Sequence, residues 1–108
     1  MTATTKPRRQ REPTDLDALE QAAEILKTLA HPDRLQIVQM LLKGQYTVGE
    51  LAAACGIPPS VASEHVRLMQ RAGLLTCEKD GRRRFYHVTE RFMIDIISVI
   101  KAGFCQPA

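Results

Sequence analysis

Residues 47–72, TVGELAAACGIPPSVASEHVRLMQRA, restrict the possible folds more than any other stretch of the chain. Thr47 and Glu50 have the spacing of a capping box, in which hydroxyl and carboxylate each satisfy an orphan N–H at the start of a helix. Leu51 and Ala52 then share an inward face, and Gly56 permits the left-handed turn at which the chain reverses. Pro59 suits the first turn of a second helix, where its missing N–H removes no hydrogen bond. In that helix Val61, Val66 and Met69, with Ala62 and Ala72 alongside, form a narrow apolar stripe. Ser60, Ser63, Glu64, Arg67 and Arg71 occupy the opposite side. Two short helices, a glycine corner and a polar outer face are the layout of a helix-turn-helix. Amphipathic helical hairpins also occur without nucleic acid, so the neighbouring residues decide what this one means.

Those neighbours are β-prone and basic. Gly73 is placed to end the second helix, and the runs LLTCEK and RRRFYHV flank Asp80-Gly81. Asp-Gly between two such runs predicts a hairpin with a type I′ turn, which needs positive φ at both central residues. Its tip carries Lys79, Arg82, Arg83 and Arg84. A two-stranded hairpin is marginal alone and must lean on the helices. With arginines at its tip, it reads as a wing reaching a phosphate backbone or minor groove.

The charge distribution points the same way. The net charge is +3, yet residues 1–11 carry four bases and no acid, 12–59 carry three bases and seven acids, and 60–91 carry seven bases and four acids. Positive charge therefore collects in the first residues and in the second helix plus the hairpin, as expected where phosphates are met. Scattered surface charge is the plain alternative reading.

Taken in order, residues 1–13 are polar, basic and Pro-containing, and read as a disordered tail. Thr14 with Asp17 forms a second capping-box candidate, ahead of Leu16, Leu19, Ala22, Ala23, Leu26 and Leu29 at helical spacing. His31 before Pro32 ends this helix near Ala30. Pro32 opens another helix, with Leu35, Val38, Leu41 and Leu42 inward and Lys43-Gly44 as its stop. Thr89 is placed to cap a last helix, ERFMIDIISVIKAG, whose apolar residues cover more than half its circumference. Such a helix needs a second contact beyond its own domain. Self-association through Leu19, Leu26, Ile96 and Ile100 is the economical answer. The expected fold is mainly α with a two-stranded β wing, in the order α, α, helix-turn-helix, β, β, α. It forms one DNA-binding and dimerisation domain over 14–104, with 105–108 as a C-terminal tail.

Taken together, LAHPDRLQIVQMLLKG, TVGELAAACGI, SVASEHVRLMQRAGLL and DGRRRFYHV resemble the ArsR/SmtB-type winged helix-turn-helix repressors. The family's recognition-helix core, S-x-x-S-x-H-(L/V)-x-x-L, is matched by Ser60, Ser63, His65 and Val66, with Met69 where leucine is usual. The resemblance implies a homodimeric transcriptional repressor on an inverted-repeat operator of double-stranded DNA. It places Ser60, Ser63, Glu64 and His65 at bases and nearby phosphates and works Arg82 or Arg83 from the wing. Arg67, on the same polar side, joins this set. Pro58-Pro59 departs from the family's usual Ser-Gln.

The family's sensory sites do not carry over whole. The Cys-x-Cys of its metal sensors is reduced here to Cys55, and the last helix offers Asp95 but no histidine. No convergent set of thiolate, imidazole and carboxylate ligands is visible, so the expectation is no metal and no cofactor. In the branch resembling thiol sensors, one cysteine matches Cys105, but Gln39 stands at the other position. Cys105 thus remains a candidate thiol sensor, while Cys55 and Cys77 read as small packing residues. His31 and His87 read as structural or incidental. No nucleophile–base pair, carboxylate pair or phosphate-cradling glycine loop suggests an enzyme. The rival function is a winged helix used as a protein-interaction module. The first residues lack the apolar segment of a secretory signal, and three cysteines make no disulfide framework, so a reduced cytoplasmic setting is expected.

Overall fold

The computed structural model describes residues 13–105, so the expectations for a basic tail over 1–12 and for 106–108 lie outside the described residues. Five helices and one hairpin follow in the expected order. They are α1 (Pro13–Leu29), α2 (Pro32–Lys43), α3 (Val48–Cys55), α4 (Pro59–Arg71), β1 (Leu75–Asp80), β2 (Arg83–Val88) and α5 (Phe92–Phe104). No helix among the described residues is long and apolar enough to cross a membrane.

The helix-turn-helix is defined by its ends. Thr47 Oγ1 accepts from the Glu50 N–H at 3.3 Å while Glu50 Oε1 accepts from the Thr47 N–H at 2.7 Å, closing the capping box. At the corner Gly56 has φ +69°, the Ile57 N–H reaches the Ala52 carbonyl, and the Gly56 N–H reaches that of Ala53. This pair of bonds is a Schellman motif, which suits glycine because a Cβ disfavours positive φ. Helix α4 ends in the same way: Gly73 has φ +86°, the Leu74 N–H bonds the Met69 carbonyl, and the Gly73 N–H bonds that of Gln70. Leu74 and Met69, brought together by that motif, are both fully buried.

These ends hold one core. Ile37 and Val38 of α2, Leu51 of α3, Val66 and Met69 of α4, Leu74, Leu75 and Met93 are almost wholly shielded. Helix α2 packs on α3, α4, α5 and β2, so it is the beam to which both the helix-turn-helix and the last helix attach. Helix α1 contributes Ile25 and Leu29 at its C-terminal end and leaves Leu16, Leu19 and Leu26 exposed.

Several local expectations change. Helix α1 already includes Pro13 and Thr14, so Thr14 lies in its first turn and Pro13 is helix, not tail. Val61 is exposed, and His65 takes its place on the inward stripe of α4. The hairpin pairs Asp80 with Arg83, which makes Gly81 and Arg82 its two-residue loop. Only Gly81 has positive φ, the sign pattern of a type II′ turn rather than I′. Thr89 does not cap α5. Its hydroxyl donates to the Gly73 carbonyl at 2.5 Å and its N–H to that of Leu74 at 2.9 Å, tying the end of the wing to the end of α4.

Candidate nucleic-acid interface

The outer face of α4 and the wing enclose one concave surface. Ser60, Glu64, Arg67 and Arg71 are exposed along the helix and Ser63 is half-buried at its foot. A hollow of about 390 Å³ is lined by Thr47, Val48, Ser63, Tyr86 and the wing arginines Arg82, Arg83 and Arg84. No carboxylate lines it. Three arginines and a serine thus line one hollow beside the start of α3, a set of donors and positive charge that suits an anionic backbone.

The charged groups around this hollow are preset differently. The Arg83 guanidinium lies 5.5 Å from the centre of the Phe85 ring, a cation–π contact that favours one side of the hairpin. Glu50 is held below the usual carboxylate range, first by the Thr47 N–H, then by the Thr47 hydroxyl, with Arg83 adding a smaller electrostatic pull. The Glu64 carboxylate accepts from Arg67 Nη1 at 3.0 Å, but both side chains are more than half exposed. An exposed i,i+3 pair contributes little and opens readily, so Arg67 can exchange this carboxylate for a phosphate. On the wing His87 meets Glu78 at 2.8 Å across the strands, an exposed contact that likewise contributes little.

His65 is corrected. It is 7% exposed and faces inward, away from any base edge. Its Nδ1 accepts from Arg34 Nε at 3.0 Å, and Arg34 Nη1 donates to the Thr28 carbonyl at 2.9 Å. Arg34 therefore joins the end of α1, the start of α2 and the middle of α4. The His31 ring packs against His65 at 4.5 Å between centroids, and its Nδ1 caps α2 by accepting from the Asp33 N–H. Burial first, then the His31 and Arg34 charges, push the His65 pKa below its ordinary value; Asp33 and Glu64 oppose them only in part.

The expectation that no ligand set converges is also corrected. His31, Asp33 and His65 bring one donor atom each within 4.8 Å of one another. Their hydrogen bonds nevertheless already engage one nitrogen of each ring. Each Nδ1 accepts a hydrogen bond, so in each neutral ring the proton is on Nε2, leaving no lone pair there. A metal would have to displace both bonds and sit beside the Arg34 guanidinium. The cluster is a fastening between helices.

The remaining residues separate into two groups. Leu19 and Leu26 are exposed, as an interface requires, but Ile96 and Ile100 are half-buried against the chain's own core. The exposed apolar side chains of α5 are Phe92, Ile94, Val99 and Phe104, which helical periodicity did not separate from the inward face. All three cysteines are free. Burial, with Asp33 nearby, pushes the Cys55 thiol up and makes it a poor nucleophile. Cys77 is half-buried opposite Tyr86, and Cys105 is exposed just past α5.

Residues 29–78 match the model of a helix-turn-helix domain family. Over 94% of its length the chain is 32% identical to a biofilm growth-associated repressor of Xylella fastidiosa, of which it covers 88%. It is 33% identical to the transcriptional repressor SmtB of Mycobacterium tuberculosis over 84% of its own length and 69% of that protein. It superposes with a TM-score of 0.73, at 24% identity, on a homodimeric winged helix-turn-helix domain from Mycobacterium bovis described as a possible ArsR-family regulator, covering 92% of this chain and 87% of that one. The last likeness concerns fold alone, but the two repressors align along most of their own length and span the helix-turn-helix and wing just described. The chain belongs to the ArsR/SmtB family of winged helix-turn-helix, DNA-binding transcriptional regulators.

Proposed function

We propose that the chain is a cytoplasmic homodimeric repressor of an inverted-repeat operator, with no catalytic activity. Residues 13–104 act as one DNA-binding and dimerisation domain, and 1–12 and 105–108 are accessory tails. Ser60, Ser63, Glu64 and Arg67 face the major groove, while Arg82 and Arg83 contact phosphates from the wing. The observation that carries this reading is the carboxylate-free hollow joining Ser63 to three wing arginines. The exposed leucines of α1 and the exposed apolar side chains of α5 support the dimer, as does the homodimeric state of the M. bovis relative. Two-fold symmetry then sets recognition helices one DNA turn apart. Release follows binding of an inducer or modification of the exposed Cys105 thiol. Operator binding by Cys105→Ser before and after a persulfide donor separates the two routes.

The test is selection of bound duplexes from a random pool, followed by affinity against salt. An inverted repeat should emerge, and Arg83→Ala should weaken all duplexes alike and reduce the salt slope by about one unit per lost phosphate contact. A flat salt dependence with no selected sequence would instead favour a protein-interaction module.

A further inference from the structure

The geometry points to a binding site for a small amphipathic anion, a carboxylate on a short apolar body, in the seam between α2 and α5. A cavity of about 340 Å³ opens there, floored by Leu35, Met40, Ile97 and Ile100 and flanked by Lys43 and Lys101. Its volume falls near the small end of the range for ligand pockets, about 300–1,000 Å³. A second cavity of about 220 Å³ shares Gln39, Lys43, Ile97 and Lys101 with the first. The two lysines therefore border both spaces. No carboxylate lines either cavity, and among the described residues neither lysine forms a salt bridge.

A lysine in the last turn of a helix is favourable in its own right, because it faces the negative end of the helix dipole. Helix ends alone do not explain why two such lysines, from separate helices, line one apolar cavity. An aliphatic or aromatic body would replace water against the four apolar side chains while its carboxylate met both ammonium groups. The position also has a consequence for control, which rests on the proposed repressor function. Helix α2 supports α3 and α4, whereas α5 carries the exposed apolar face, so a molecule wedged between them couples the DNA-reading unit to the dimer contact.

The experiment is calorimetric titration of the full chain with octanoate, beside 1-octanol and octyltrimethylammonium. Octanoate should bind at least about tenfold more tightly than octanol, and the cation should not bind. Lys43→Gln and Lys101→Gln should each weaken octanoate at least about threefold, Lys101→Arg should restore it, and Lys27→Gln on α1 should leave it unchanged. Saturating octanoate should also loosen the selected operator. Absence of octanoate heat at millimolar concentration, equal binding of octanol, or indifference to both glutamine variants overturns the site. Octanoate binding by a protein that selects no duplex would leave the site standing and sink the repressor reading instead.

Discussion

Helices α4 and α5 are each 13 residues long, pack on the same core and turn opposite kinds of surface outward. On α4 the outward residues are Ser60, Glu64, Arg67 and Arg71, with Val61 the single large apolar exception. On α5 they include Phe92, Ile94, Val99 and Phe104. Their inner faces differ too, since α4 buries a histidine in a polar fastening while α5 buries Met93 and Ile97 against plain hydrocarbon. A helix that must meet phosphates keeps its outside wet and is located by directional bonds inside. A helix that must meet protein needs only area on both sides. Length and helical propensity say nothing of this difference; what each outer face would lose by staying in water does.

The largest effect should come from making α5 resemble α4. Val99→Glu puts a charge on the apolar face and, if that face is the dimer contact, should dissociate the dimer and lower operator affinity at least about a hundredfold. Sedimentation and a binding titration check this together. A Val99→Glu protein that stays dimeric would move the contact elsewhere.

The next effect separates the two faces of α4 itself. His65→Ala removes the acceptor for Arg34 and should cost about 1–3 kcal/mol of stability, leaving the sequence preference of the folded fraction intact. Ser60→Ala should do the reverse, with thermal stability unchanged and discrimination reduced. Acidity probes the same contact. Because the folded His65 pKa lies below its unfolded value of 6.5, the unfolded chain takes the proton first as pH falls. Stability should therefore decline below about pH 6.5, down to the folded pKa. Denaturant melts of wild type and His65→Gln across that window should show a shallower decline in the variant. Equal declines would place the titrating group elsewhere.

The smallest effect concerns the entry to the helix-turn-helix. Thr47→Ala opens the capping box and should cost about 1 kcal/mol, and Thr47→Ser should recover most of it. A larger loss in DNA affinity than in stability would mean that the threonine, which lines the basic hollow, also touches the duplex.

The sequence was most legible where one residue type answers a single geometric demand. The capping box at Thr47, the left-handed glycines at 56 and 73, and the proline opening α4 all lie where their chemistry places them. It was least legible where two answers share one pattern. Val61 and His65 both fit the inward stripe of α4, and only the guanidinium of Arg34, 31 residues away in the chain, decides between them. Asp80-Gly81 read as the two central residues of a type I′ turn, but the pairing of Asp80 with Arg83 moves the loop to Gly81-Arg82, with a single positive φ. Thr89 offered a cap, but α5 starts only at Phe92, and the Thr89 hydroxyl instead donates to the carbonyl of Gly73. The first and last of these misses involved a partner distant in the chain, which local spacing cannot weigh.

Arg34 reaches the Thr28 carbonyl and the His65 ring from the inner side of α4. Its consequence is evolutionary as much as mechanical. The tilt of α4 is set from behind, so Ser60, Glu64 and Arg67 can be exchanged without re-aiming the helix that carries them. On the proposed reading, in which these residues meet the duplex, a lineage of such proteins could acquire new binding sites by rewriting three outward letters while the mounting stays fixed, and a designer could do the same.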